Sequence, residues 1–133
     1  MKRKLGGIVV IDGTDHEFMW SDEHGHQETA VDMPVDAGAG PVAVRVPHLK
    51  VGGEVRVEVI LTAEGRTDGE LIVSGAAKLY EGVSESSTNL RDEKRIALKI
   101  PKGGAPVIAR VPLGQPKKDR ADILICLTNA LAE

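Results

Sequence analysis

The feature that most constrains the fold is an alternation of apolar and polar residues along short runs of the chain. In the run from Val55 to Thr62, every second residue is valine or leucine, and the residues between include Arg56 and Glu58. Successive side chains of a strand point to opposite faces, so this pattern predicts a strand with one buried and one solvated face. Similar alternation occurs at residues 42–46, 71–79, 96–100, 107–111 and 123–127.

Glycine, proline and aspartate bound these runs, and no window shows sustained helical spacing. Three further strands are expected at Leu5–Ile11, near His16–Trp20 and near Glu28–Val35. The sequence therefore predicts an all-β protein, an antiparallel two-sheet β-sandwich of seven to nine strands with Greek-key or jelly-roll connections. Four dipeptides typical of hairpins and tight turns are expected between strands: Asp12-Gly13, Gly52-Gly53, Asp68-Gly69 and Gly103-Gly104.

The 133 residues fit one domain of ordinary size, and we predict a single domain over residues 1–133. Its core must be aliphatic, because Phe18, Trp20 and Tyr80 are the only aromatic residues. Phe18 and Trp20 share a strand parity, which favours placing both in the core. Cys126 lies in an apolar run and is expected to be a buried, unreactive thiol.

Composition argues against several classes of partner. Bases stack on aromatic rings and phosphates bind clustered lysine and arginine, whereas this chain has three rings and a net charge of −3. Nucleic acid is therefore not an expected partner. No apolar run approaches the ~20 residues of a membrane-spanning helix. The basic start at Met1–Lys4 is not followed by the apolar stretch of a signal peptide, so a cytoplasmic location is expected for the chain as given.

The densest polar segment covers residues 22–28. In an extended conformation its alternate side chains project from one face, and His16 would approach from the preceding strand. Two imidazoles and two carboxylates on one face suit zinc or another borderline divalent ion. The predicted ligands are Asp22, His24, His26, Glu28 and His16.

Part of this segment resembles a known metal motif. The step His24-x-His26 is similar to the His-x-His of cupins, which are β-barrel proteins. Glu28 follows too closely for the cupin spacing and no histidine follows His48, so we do not transfer the cupin assignment. The other interpretation, which we favour, is a solvated loop, because every residue from Ser21 to Glu28 is polar or glycine.

Acidic residues also concentrate in the expected connections. Asp12, Asp15 and Asp22 bracket the first predicted hairpin, and Asp32 and Asp36 precede Pro41. Loops gathered at one end of a sandwich can supply the six to eight oxygens that calcium takes. The length, strand number and acidic connections are similar to calcium-dependent membrane-binding sandwich domains of the synaptotagmin kind, although their Asp-x-Asp pair does not occur here. A second acidic group follows Tyr80: Glu81, Glu85, Asn89, Asp92 and Glu93.

No segment amounts to a catalytic signature. The serines at 84, 86 and 87 lack a Gly-x-Ser-x-Gly setting, and no neighbouring histidine is indicated for Cys126. The sequence therefore favours a non-catalytic binding or interaction module that presents acidic loops, with calcium as a candidate ligand, to a protein partner or a second copy. The alternative is a metal-dependent enzyme or metal-binding protein of the zinc type that uses residues 22–28. An extended segment with converging histidines would favour that alternative.

Overall fold

The alternating runs form strands that assemble into two antiparallel sheets, which confirms the predicted all-β sandwich. The structure is a computed structural model that describes residues 2–17, 20–82 and 88–132. In these ranges the strands are β1 (Lys2–Asp15), β2 (Glu23–Asp36), β3 (Val42–Val44), β4 (Leu49–Val51), β5 (Val55–Gly65), β6 (Leu71–Glu81), β7 (Leu90–Ile100), β8 (Val107–Gly114) and β9 (Arg120–Leu131).

The first sheet has the order β2-β1-β9-β8, and the second has the order β3-β5-β6-β7. The short strands β3 and β4 both pair with β5, at opposite ends of it. The chain thus forms a hairpin in the first sheet, a meander in the second and a closing hairpin in the first. The first and last strands lie side by side, and β1 is paired along almost its whole length with both β2 and β9.

The core between the sheets is aliphatic, as expected. The buried apolar residues in the described ranges are all valine, leucine, isoleucine or alanine. In β1 the odd-numbered side chains Leu5, Val9 and Ile11 point into this core, while Ile8 and Val10 lie on the outer face. The arrangement follows directly from the two-residue period of a strand.

The predicted strand near His16–Trp20 is wrong. Strand β1 continues to Asp15, His16 and Glu17 lie outside any strand, and Trp20 lies in a bend. The indole of Trp20 is 79% exposed, so its predicted place in the core is also wrong. Phe18 lies outside the described residues.

The predicted turn at Asp12-Gly13 is wrong as well, because both residues lie inside β1. A Cβ on Gly13 would lie 3.1 Å from Cγ2 of Val51, so this glycine makes room for β4 to pack against the first sheet. The other three predicted turn dipeptides do lie between strands. Cys126 is half-buried on the outer side of β9, so its expected burial is not observed.

A buried side chain, Asn129, links the two sheets at the end where β1 begins. Its Nδ2 donates hydrogen bonds to the carbonyl oxygens of Gly69 at 2.8 Å, in the turn between β5 and β6, and of Ile100 at 2.9 Å, at the end of β7. Its Oδ1 accepts a hydrogen bond from Nε of the buried Arg3 at 2.8 Å. A fully buried amide of this kind is satisfied only when its partners keep their positions.

We expect Asn129→Ala to lower the free energy of unfolding by about 3 kcal/mol, because it removes a hydrogen-bond donor to two buried carbonyls and the acceptor for Nε of the buried Arg3. Urea unfolding measures this loss. The matched control is Thr128→Ala on the half-buried outer side of β9, for which we expect a change within about 0.5 kcal/mol. Equal losses in the two variants would contradict the proposed link between the sheets.

Candidate cation site at the acidic end of the sandwich

One end of the sandwich gathers carboxylates from both sheets. In the first sheet, β1 ends there, β2 begins there, and the β8–β9 turn lies there. The second sheet contributes the β4–β5 turn and the end of β6. We call this region the acidic end, and its members are Asp15, Glu17, Glu23, Glu54, Glu81 and Asp119.

Asp15 is the buried member of the acidic end. It is the last residue of β1 and has the inward parity of Ile11, so only 1% of its surface is exposed. Neither carboxylate oxygen has a hydrogen-bond partner among the described residues. Burial, followed by the negative charges of Asp119 and Glu17, raises the pKa of Asp15 to about 7. A buried carboxylate without a partner is costly, so this position calls for a proton or a cation.

A glycine turn from the second sheet covers this carboxylate. A Cβ on Gly52 would lie 2.1 Å from Oδ2 of Asp15, too close for any side chain. Gly52 also has a φ of +63°, in the left-handed region that favours glycine. Glycine is therefore needed at position 52 for two reasons: the turn has a left-handed backbone there, and a side chain would occupy the space of the Asp15 carboxylate.

Two more carboxylates complete a possible coordination group. Ligand oxygens of Asp15, Glu17 and Glu54 all lie within 4.8 Å of one another. Calcium binds oxygens at 2.3–2.6 Å, so two oxygens on one ion are at most about 5 Å apart. The spacing therefore fits a single calcium ion. Among the described residues, these three form the only group of three histidine, cysteine or acidic ligand atoms this close together.

Charge repulsion extends across the rest of the acidic end. A hydrogen bond with Asp119, together with partial burial, raises the pKa of Glu81. Asp119 also accepts a hydrogen bond from the backbone N–H of His16 at 2.8 Å. Of the carboxylates outside the three-residue group, Asp119 and Glu23 are near enough to Asp15 for their negative charges to raise its pKa further.

The predicted ligands His24, His26 and Glu28 lie in β2, which begins at Glu23, so the interpretation of this segment as a loop is wrong. His24 and His26 project from the exposed outer face of β2, but they contact different residues of β1. His24 Nδ1 lies 3.1 Å from the hydroxyl of Thr14. His26 Nδ1 lies 2.5 Å from Oδ1 of Asp12, and its Nε2 lies 3.3 Å from Oε1 of Glu28.

The remaining two predicted ligands pair with each other, away from His26. His16 Nδ1 lies 2.9 Å from Oδ1 of Asp22, which precedes β2. The backbone N–H of Glu17 and the imidazole of His16 hold the pKa of Asp22 below its usual range. In contrast, hydrogen bonds with Asp12 and Glu28 raise the pKa of His26. Zinc binding by these five residues stays a prediction; the structure divides them into separate contacts rather than around one point.

Sequence reasoning included Asp15 among the acidic loops but missed Glu17 and Glu54. Glu17 falls in the segment predicted as a strand, and Glu54 follows a glycine pair that indicates only a turn. The sequence could have indicated the site through the position of Asp15, which shares the inward face of Leu5, Val9 and Ile11. This is apparent only when the predicted first strand is extended through Asp12-Gly13 to Asp15. Of the other acidic residues, Asp32 pairs with Lys4 at 3.0 Å, and Glu85 lies outside the described residues.

Comparisons with protein-family models, with curated proteins and with solved structures found no match for this chain. In the part of the chain that the structure describes, no helix is long and apolar enough to cross a membrane.

In metal-free protein, we expect the free energy of unfolding to contain a component that falls as the pH rises from about 4 to about 7. Asp15 has an ordinary pKa of 3.8 and a folded pKa of about 7, so the folded state binds more protons in this window. This component is fully present below the ordinary pKa and is lost as the pH passes the folded one. It amounts to at most about 4 kcal/mol, since one pKa unit corresponds to 1.36 kcal/mol.

Urea unfolding between pH 4 and 8, in the presence of a chelator, tests this dependence. The variant Asp15→Asn removes the titrating group, so the difference between its profile and the wild-type profile isolates Asp15 from the other carboxylates. We expect the variant to gain stability relative to wild type as the pH rises. Parallel profiles would show that Asp15 titrates normally.

Proposed function

We propose that this protein is a non-catalytic binding module that takes calcium at its acidic end. The observation that carries the proposal is the carboxylate of Asp15, which is buried and has neither oxygen hydrogen-bonded among the described residues. Glu17 and Glu54 supply further oxygens at a spacing that suits one calcium ion. A divalent cation would neutralise the charges that repel one another there.

The chemistry of the donors favours calcium over the other common ions. All three side chains offer oxygen, which suits hard cations, whereas zinc prefers ligand sets that include nitrogen or sulfur. Magnesium requires near-octahedral geometry at 2.0–2.1 Å and keeps several waters. Calcium tolerates irregular sets of six to eight oxygens, so carboxylates from two sheets are compatible with it.

The position of the site gives calcium a structural effect. Asp15 is the last residue of β1, Glu17 lies two residues beyond it, and Glu54 belongs to the turn between β4 and β5 in the other sheet. A shared ion would tie this turn to the β1–β2 connection. That connection also carries Trp20, whose exposed indole is the kind of side chain that anchors protein interfaces. We infer that calcium fixes the connection from which Trp20 is presented to a protein partner.

We expect calcium to raise the unfolding midpoint of chelator-stripped protein. At a hundred times the dissociation constant, the stabilisation is ~2.7 kcal/mol, which corresponds to about 10 °C for a domain of this size. Asp15→Asn should abolish the shift and Glu54→Gln should reduce it. The matched control is Asp36→Asn, an exposed carboxylate at the other end of β2, which should keep the full shift. Fluorescence of the single Trp20 gives a second measurement of binding.

Two outcomes would contradict the proposal: no calcium shift in the wild type, or an equal shift in Asp15→Asn. The same titration with zinc tests the alternative of a metal-dependent enzyme or metal-binding protein. A zinc shift that is lost in His24→Ala or His26→Ala, but kept in Asp15→Asn, would favour that alternative and justify a search for hydrolytic activity.

A further inference from the structure

The outer faces of the two sheets differ in chemistry. On the second sheet, each outward-facing row of three paired residues across β5, β6 and β7 contains a charged or hydroxyl-bearing side chain, for example Glu58, Lys78 and Glu93. On the first sheet, one complete row is apolar. It crosses all four strands in register and consists of Ala30, Ile8, Cys126 and Ile108.

The neighbouring row extends this apolar area and adds charge at its two ends. Val10 and Leu124 form its centre, flanked by Glu28 on β2 and Arg110 on β8. We call these two rows the outer patch. Ile108 is 60% exposed, and the central side chains are half-buried by their neighbours. A solvated sheet face normally carries polar residues, so a contiguous apolar area on it indicates an interaction surface.

The charges at the ends of the outer patch indicate which partner fits. A two-fold axis parallel to the strands places β2 of one copy over β8 of the other, and β1 over β9. Glu28 then faces Arg110 of the second copy, and the symmetry makes this pair twice. Ile8 and Val10 face Cys126 and Leu124 of the second copy. Arg110 has no ion-pair partner within the described part of its own chain, so it is available for this contact. Glu28 contacts His26 of its own chain through Oε1 at 3.3 Å and is exposed, so it can also reach Arg110 of the second copy.

We propose that the outer patch is a self-association surface, through which two copies pack face to face with their strands aligned. Aligned packing of two sheets is the ordinary geometry of β-sandwiches. The whole four-stranded outer face, of which the outer patch is a part, measures about 26 by 19 Å for the eight residues of β8 and strands ~4.8 Å apart. This is small compared with the ~800 Å² per partner of a standard stable interface. The dimer is therefore weak and depends on protein concentration.

One row beyond the outer patch opposes the association. It contains Asp12 and Asp122, and the same two-fold axis places each over the other in the second copy. Packed sheets lie ~10 Å apart, a separation at which exposed charges are largely screened at physiological salt. The short aspartates therefore repel weakly across this gap, whereas the longer Glu28 and Arg110 can approach each other closely. Asp122→Asn should consequently strengthen the dimer.

Sedimentation velocity over a range of protein concentrations tests the proposal. Excess chelator is present throughout, which excludes association driven by calcium at the acidic end. Failure of the self-association proposal therefore leaves the calcium proposal unaffected, and the reverse also holds. We expect a monomer–dimer equilibrium in the wild type and a monomer in Ile108→Glu. The matched control is Ile60→Glu, which is 49% exposed on the second sheet and should associate like the wild type. Monomer at all concentrations, or association that Ile108→Glu leaves unchanged, overturns the proposal.

Charge exchange tests the orientation. Glu28→Arg and Arg110→Glu each replace two attractive pairs with two repulsive ones, and each should weaken the dimer by about tenfold. The double variant restores both pairs with reversed signs and should recover the wild-type dissociation constant. Weakening without recovery overturns this arrangement. The arrangement is also overturned if Arg110→Glu weakens the dimer and Glu28→Arg does not. That result would indicate that two copies associate through the edge strand β8, where Arg110 lies and the distant Glu28 does not.

Discussion

The pairing of β1 with two neighbours along almost its full length is the constraint from which both proposed surfaces arise. Because β2 and β9 fix its register on both sides, β1 cannot slip by one residue without turning every side chain to the other face. Leu5, Val9 and Ile11 hold the inward face in the aliphatic core. The same alternation then forces Asp15 inward at the end of the strand and leaves Ile8 and Val10 outward in its middle.

Both surfaces are thus departures from the pattern that builds the fold. An inward carboxylate costs free energy that a valine at the same position would not, and an outward isoleucine gains little in a monomer. Departures of this kind are expected where a ligand or partner supplies the missing interaction. For Asp15 the missing interaction is one that a proton or a cation can supply, because no described residue donates a hydrogen bond to it. For the outer patch it is a second apolar surface.

The sequence predicted the fold class and most strands because alternation is local, and a two-residue period can be recognised without knowing what a strand packs against. It failed where tertiary packing overrides local preference. Asp12-Gly13 is typical of a turn, yet both residues are paired with β2 and β9 inside β1. The glycine is needed there because Val51 of the other sheet occupies the space that a side chain would take. The candidate site was harder to predict, since Glu17 and Glu54 come from separate connections and no local pattern relates them. Only Asp15, as an acidic residue near a strand end, was recognised in advance.

The two proposed sites share β1, which raises the question of whether they influence each other. Asp12, an outward acid in the row next to the outer patch, is three residues from Asp15, about 10 Å along the strand. That distance is comparable to the screening length of ~8 Å at physiological salt. A calcium ion would change the net charge of each copy from −3 to −1, which reduces the repulsion between two copies. Coupling between the two proposed sites would therefore be electrostatic, modest and dependent on salt. The two sites lie on one strand because of the register of β1, and they share no surface.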